Sequence, residues 1–129
     1  MWRLCRTAHD KVADFRKGRV RQPDDLFVAE CELPGDPDSS RIAVGVRRAV
    51  AGIGLIDPLF IMASDRFPED LGVLPLWDSM DWLSLVFELE KELDQKIPDF
   101  IVDWKSQNGF TIKQLVQTVF EKLTAEKLG

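Results

Sequence analysis

Ser79 is the residue whose setting most invites chemistry in this 129-residue chain. It stands near the start of residues 78–99, DSMDWLSLVFELEKELDQKIPD, where the pattern predicts the beginning of a helix that stops before Ile97-Pro98. No histidine base lies in this stretch; the one histidine of the chain is His9. A serine hydroxyl without a base is a poor nucleophile but a usable point of attachment. At a helix start it meets free backbone N–H groups and the positive end of the helix dipole, where a phosphate is stabilised. The plainer role for such a serine is that of an N-cap. Carboxylate pairs such as Glu69/Asp70 and Glu88/Glu92 have the right groups for acid–base work. Nothing in the sequence sets them in a desolvated cleft, so catalysis by this chain is not expected.

The single histidine also argues against His-based metal sites and catalytic triads. Cys5 and Cys31 form no CxxC pair and read as reduced thiols. With 45% hydrophobic residues, the chain is large enough for one globular domain with its own core and without disulfides. No apolar run approaches the roughly 20 residues of a membrane span. The N-terminus lacks the apolar centre of a secretory signal, so the cytoplasm is the expected location. Charge is uneven along the chain: residues 1–21 are net +5, residues 22–40 net -6 and the remainder net -4. A basic arm on an acidic body suits nucleic acid or a membrane surface. The reading adopted is instead a solvated tail pairing loosely with the acidic segment beside it, and nucleic acid is not expected as a partner.

The elements that must position Ser79 follow from periodicity. Trp2, Cys5, His9 and Val12 share a stripe over a partly helical stretch that Gly18 and Pro23 end. A short helix capped by Asp24 or Asp25 runs to Leu33, docked by Leu26, Phe27 and Ala29. A firmer helix starts from Ser39 or Ser40, carries Ile42, Val46, Ala49, Val50 and Ile53 on one face, and ends at Gly52 and Gly54. Residues 55–77 form a long irregular connection with apolar anchors Ile56, Leu59, Ile61, Phe67, Leu71 and Leu74; a loop this long is pinned by side chains or serves a function. In the helix after Ser79, Trp82, Leu85, Val86, Leu89 and Leu93 make a core face. Met80, Leu83 and Phe87 make a second face, either a widened core stripe or an exposed contact surface. A short helix over residues 100–104 precedes Gly109. Thr111 then caps a last helix with Ile112, Leu115, Val116, Val119, Phe120 and Leu123 on one stripe. No strand alternation persists, so the reading is a small all-α bundle with one long loop.

The register of residues 78–99 resembles the acyl carrier protein family, whose signature runs Asp-Ser-Leu-Asp, Val-Glu-Leu, Leu-Glu-Glu, an aromatic, then Ile-Pro-Asp. Asp78, Ser79 and Asp81 match, with Met80 for the usual leucine, and Leu85, Leu89, Glu90, Glu92, Ile97, Pro98 and Asp99 follow at unbroken spacing. Upstream, RFPEDLG at 66–72 is similar to the family's Phe-x-x-Asp-Leu-Gly segment. The helices from Arg41 and from Thr111 fit the family's first and last, so the resemblance covers roughly residues 40–123.

The resemblance implies a four-helix bundle at 39–129 behind an N-terminal extension at 1–38. It implies 4′-phosphopantetheine on Ser79, with Asp78 beside it, carrying an acyl or aminoacyl thioester. The partners it implies are a phosphopantetheinyl transferase and acyl-activating, condensing or acyl-transfer enzymes, as in fatty acid or polyketide biosynthesis, acting on a monomer. Met80, Asp81, Leu83, Phe87 and Glu90 lie at the partner-contact positions, which tilts the second face towards exposure. An unmodified interaction module on the same bundle is the alternative. The chain departs from the pattern in VLPLW between Gly72 and Asp78, in Ser84 and Lys91 where glutamates are usual, in bulky Trp82 and Phe87, and in a longer 100–110 stretch. Trp77 is expected to pack on Trp82, and a crowded interior leaves little room for a long acyl chain.

Overall fold

A computed structural model describes residues 8–34, 37–67, 69–75, 82–97 and 110–128. Its helices are α1 (Ala8–Arg16), α2 (Asp24–Glu30), α3 (Pro37–Ile53), α4 (Trp82–Leu93) and α5 (Ile112–Leu128). One antiparallel pairing joins β1 (Arg66–Phe67) to β2 (Phe110–Thr111), with Arg66 opposite Thr111 and Phe67 opposite Phe110. The chain is therefore mostly helical, as expected, and the pairing corrects the reading without strand. Two residues per strand leave no alternation to read. What holds them is the core contact of Phe67 with Phe110, ring centres 5.9 Å apart.

α3 is central and packs against α2, α4 and α5. Its predicted face is buried throughout: Ile42, Val46, Ala49, Val50 and Ile53. The helix starts at Pro37, earlier than Ser39 or Ser40. Proline suits a first turn, where its missing N–H has no helical partner to lose. Ser39 is buried in that turn and its hydroxyl donates to the Pro34 carbonyl. At the other end Gly52 is still helical, and Leu55, at φ 58°, takes the left-handed position. The Leu55 and Ile56 N–H groups return to the Gly52 and Ala51 carbonyls at 3.3 and 3.0 Å, a Schellman closure held down by buried Ile56.

α4 buries Leu85, Leu89 and Leu93 and lays Val86 partly against the same core. A Cβ at Gly45 of α3 would collide with the end of Leu93, so glycine sets how closely these helices approach. α5 begins as predicted. Thr111 Oγ1 accepts from the Gln114 N–H at 3.2 Å and Gln114 Oε1 accepts from the Thr111 N–H at 2.8 Å, a reciprocal capping box. Its six predicted stripe residues are all buried.

The N-terminal elements share this core: Phe15, Phe27 and Cys31 pack into one cluster with α3, α4 and α5. Gly18, at φ 75°, ends the turn after α1. Val12 packs against the core, whereas Trp2, Cys5 and the His9 side chain lie outside the described residues. α2 docks through Phe27 and, partly, Val28; Leu26 and Ala29, expected to dock it, are exposed. The helix ends at Glu30 because Glu32 turns left-handed at φ 56°, before it can reach Leu33.

The long connection is pinned, with Ile56, Ile61, Phe67, Leu71 and Leu74 buried as anchors and Leu59 only half-buried. Arg47 of α3, fully buried, holds its first half. Its Nε donates to the Ile61 carbonyl at 3.0 Å and a terminal nitrogen to the Leu59 carbonyl at 3.0 Å. The other terminal nitrogen reaches Asp24 Oδ1 at 2.9 Å, and the guanidinium lies over the Phe27 ring at 4.5 Å. Burial pushes this guanidinium below its ordinary pKa range, and the Asp24 hydrogen bond opposes that shift. Arg47→Met is expected to lower unfolding free energy in urea by about 3 kcal/mol, since two loop carbonyls lose their donors at about 1–3 kcal/mol each. Asp24→Asn is expected to cost less than Arg47→Met, because Asp24 is partly exposed and an amide oxygen still accepts from the guanidinium. Equal losses in the two variants would show that the ion pair, and not the carbonyls, carries the contact.

Candidate functional site

The segment leading towards Ser79 folds on itself. Asp70 Oδ2 accepts from the Arg66 N–H at 2.9 Å and from its Nε at 3.2 Å. The Asp70 N–H returns to the Arg66 carbonyl at 3.0 Å. This closed turn sits on buried Phe67 and Leu71, and Leu74 and Pro75 are buried beyond it. On the far side α4 is anchored within its first turn by Leu85. Asp78, Ser79, Met80 and Asp81 lie outside the described residues, as do Trp77, the Trp82 side chain and the predicted helix at 100–104.

α4 separates its apolar residues into two faces. Leu85, Leu89 and Leu93 are in the core, while Leu83 is 78% and Phe87 68% exposed. The second face predicted from spacing is therefore an exposed surface at these two positions. Geometry explains it: α3 covers one side of the helix, and residues offset by two or six from the core stripe turn away. Phe87 stands between two shallow depressions. One, of about 310 Å³, is bounded by Leu83, Ser84 and Glu88. The other, of about 520 Å³, runs past Glu90, Lys91, Asp94, Gln95 and Lys96. Glutamates 88 and 92 and Asp94 give the helix acidic character, with Lys91 and Lys96 at its end.

Glu90, expected to face partners, is engaged inside the chain. Its Oε2 accepts from the Ile97 N–H at 2.7 Å, and Lys96 Nζ stands 3.9 Å from Oε1. Ile97 is buried, so its N–H needs an acceptor that the ended helix no longer supplies. Arg41 of α3 reinforces the same corner, donating to the Leu93 carbonyl at 3.3 Å and to Gln95 Oε1 at 3.1 Å. Asp94, at φ 52°, and the Gln95 N–H to Glu90 carbonyl bond of 3.1 Å complete the closure. A carboxylate seven residues before Ile97, with no helical partner of its own to explain it, was the available sequence signal.

The basic arm is not a solvated tail over the described residues 10–21, and the contacts of its arginines there run to the long connection. Arg19 makes a two-point contact with Asp65 at 2.9 and 2.7 Å, donates to the Phe60 carbonyl at 3.2 Å and lies 3.8 Å over the Phe15 ring. Arg21 pairs with Asp57, and Arg16 lies over the Phe60 ring at 5.9 Å. Arg19 and Arg21 neutralise loop carboxylates that folding brings to them from more than 30 residues away. Within the acidic segment, Asp24 takes Arg47 and Glu32 takes Lys113.

Cys31 is a buried free thiol. Burial first, and Glu30 second, push its pKa up to about 11, so it is protonated at neutral pH and is no nucleophile. Among the described residues no three His, Cys, Asp or Glu side chains gather as metal ligands, and no helix is long and apolar enough to cross a membrane. Comparison with protein-family models, with curated proteins and with solved structures finds no match to this chain.

The two faces of α4 are expected to respond differently to truncation. Leu83→Ser and Phe87→Ser should change chemical-denaturation stability by no more than about 0.5 kcal/mol, whereas Leu89→Ala should cost about 2–5 kcal/mol. Comparable costs would place Leu83 and Phe87 in a core. For Cys31, a folded pKa above the unfolded one means that stability is whole below about pH 9 and falls as pH rises towards about 11. Cys31→Ala should flatten that alkaline limb. A thiol reagent at pH 8 should label Cys31, followed by peptide mapping, only after denaturation.

Proposed function

We propose that the chain is a carrier protein of acyl-carrier-protein type, holding an acyl or aminoacyl group on a 4′-phosphopantetheine arm at Ser79 and presenting it to partner enzymes. The observation that favours this reading is the outward stand of Leu83 and Phe87 on α4, four and eight residues after the serine. A monomer that used α4 only for its core would gain by making these positions polar; leaving a leucine and a phenylalanine in water suits a helix that docks transiently. The proposed bundle takes α3, α4 and α5 as three of its four helices.

Fit to the arm is judged on the neighbours of the serine. The chain enters residues 76–81 from buried Leu74 and Pro75 and leaves into a core-anchored helix, and the face of that helix carrying Leu83 and Phe87 is open. The terminal thiol of the arm supplies the thioester. In this reading Ser79 Oγ provides the phosphodiester oxygen, and Leu83 and Phe87 provide apolar contact. Glu88 and Glu92 steer basic patches on partners. Glu90 acts from behind by fixing the end of α4. Cytoplasmic location and partners of acyl-activating, condensing and acyl-transfer type belong to the same proposal.

The same exposed face also serves an unmodified interaction module, and modification separates the two. Co-expression with a broad-specificity phosphopantetheinyl transferase is expected to add one arm by intact mass, and Ser79→Ala is expected to abolish it. Wild-type chain that stays unmodified, or an arm that persists on Ser79→Ala, would overturn the carrier reading. A partner complex that forms equally well with Ser79→Ala would then favour the module.

A further inference from the structure

The N-terminal residues 19–24 make more directed contacts with the long connection than a covering segment needs. Arg19 grips Asp65 with two hydrogen bonds and the Phe60 carbonyl with a third. The Gln22 N–H donates to the Leu59 carbonyl at 2.8 Å. Arg21 pairs with Asp57, whose other oxygen accepts from the Leu59 N–H at 2.9 Å. Asp24 joins through Arg47 to the Leu59 and Ile61 carbonyls.

Asp65 is the junction. It is a buried carboxylate. Its Oδ2 also accepts from the Met62 N–H at 2.8 Å, and its carbonyl accepts from the Ile112 N–H at 2.9 Å at the start of α5. The Lys113 N–H reaches the Ala63 carbonyl at 2.9 Å beside it. The next residue, Arg66, opens both β1 and the closed turn that ends at Asp70, with buried Leu74 and Pro75 beyond it. One arginine from the N-terminal segment thus fixes the point from which the chain sets out towards Ser79.

We infer that residues 19–24 are a cis-acting brace, with Arg19 as its positioning residue, that favours partner docking by locking the 57–65 loop to the start of α5. The inference rests on the carrier reading for its functional half. A loop held in one arrangement binds a partner without first losing conformational freedom, so loosening the brace should weaken docking more than it slows the transfer step. Lysine should not replace Arg19, because a single ammonium cannot reproduce a planar two-point grip.

The test uses full-length wild type, Arg19→Gln, Arg19→Lys, Asp65→Asn and the control Lys17→Gln, whose side chain is 82% exposed. All are kept well below their melting temperatures. In Arg19→Gln and Asp65→Asn, hydrogen exchange at the Met62, Ile112 and Lys113 amides should quicken by about tenfold or more, reporting local opening of the loop. The KM of a broad-specificity phosphopantetheinyl transferase for the carrier should rise by about tenfold with kcat changed less than about twofold, the signature of lost ground-state docking. Arg19→Lys should fall with them, and Lys17→Gln should match wild type. If Arg19→Gln does not fold, Arg19→Lys carries both measurements. Unchanged exchange at those amides overturns the brace, and faster exchange with an unchanged KM reduces it to a packing contact and overturns its positioning role. A wild-type chain that accepts no arm overturns the carrier reading, and the functional half of this inference with it.

Discussion

A buried guanidinium organises this small domain. Arg47 projects from the middle of α3 into a space that would otherwise hold the unpaired carbonyls of an irregular loop, and gives Leu59 and Ile61 their donors while stacking on Phe27. An isolated buried charge is prohibitively costly, and a loop crossing the core with unsatisfied carbonyls is nearly as poor a solution. Each defect removes the other. Asp24 supplies the countercharge from the partly exposed side, so α2, α3 and the loop are tied at one atom cluster.

A second arginine repeats the arrangement further along. Arg19 meets Asp65 where the loop turns into β1 and α5 begins, and its stacking on Phe15 draws α1 into the same contact. Together the two arginines explain how a connection with three prolines and no long helix holds a defined path. They also explain why the N-terminal elements, whose charge suggested a tail, contribute Phe15, Phe27 and Cys31 to the common core. The site end of the molecule is built on different physics. There α4 is fixed by apolar burial on one side and closed by Glu90, Arg41 and a left-handed Asp94 at its end, which leaves Leu83 and Phe87 standing outward.

Local signals were the readable ones. The apolar stripes of α3 and α5 lie in the core at the residues that their spacing names, and Thr111 caps α5 with a reciprocal partner three residues on. Signals with two local solutions misled. Serines after Pro37 looked like caps, but proline can start the helix itself; glycines before Ile56 looked like a stop, but Leu55 took the left-handed turn because the buried isoleucine behind it fixes the closure. Leu26 and Ala29 seemed as able to dock α2 as Phe27, and only the position of α3 chose among them.

What the amino-acid order determined alone was helical class, the main apolar faces, the cap of α5 and the need for anchors along residues 55–77, because each depends on neighbours within one or two turns. The partners of Arg19, Arg47 and Glu90, the strand pairing of Phe67 with Phe110 and the exposure of Leu83 and Phe87 were decided only by tertiary structure. An arginine reads alike whether it is solvated or buried, and a leucine alike whether it meets core or water. The difference lies in which distant backbone arrives beside it, and chain packing alone sets that.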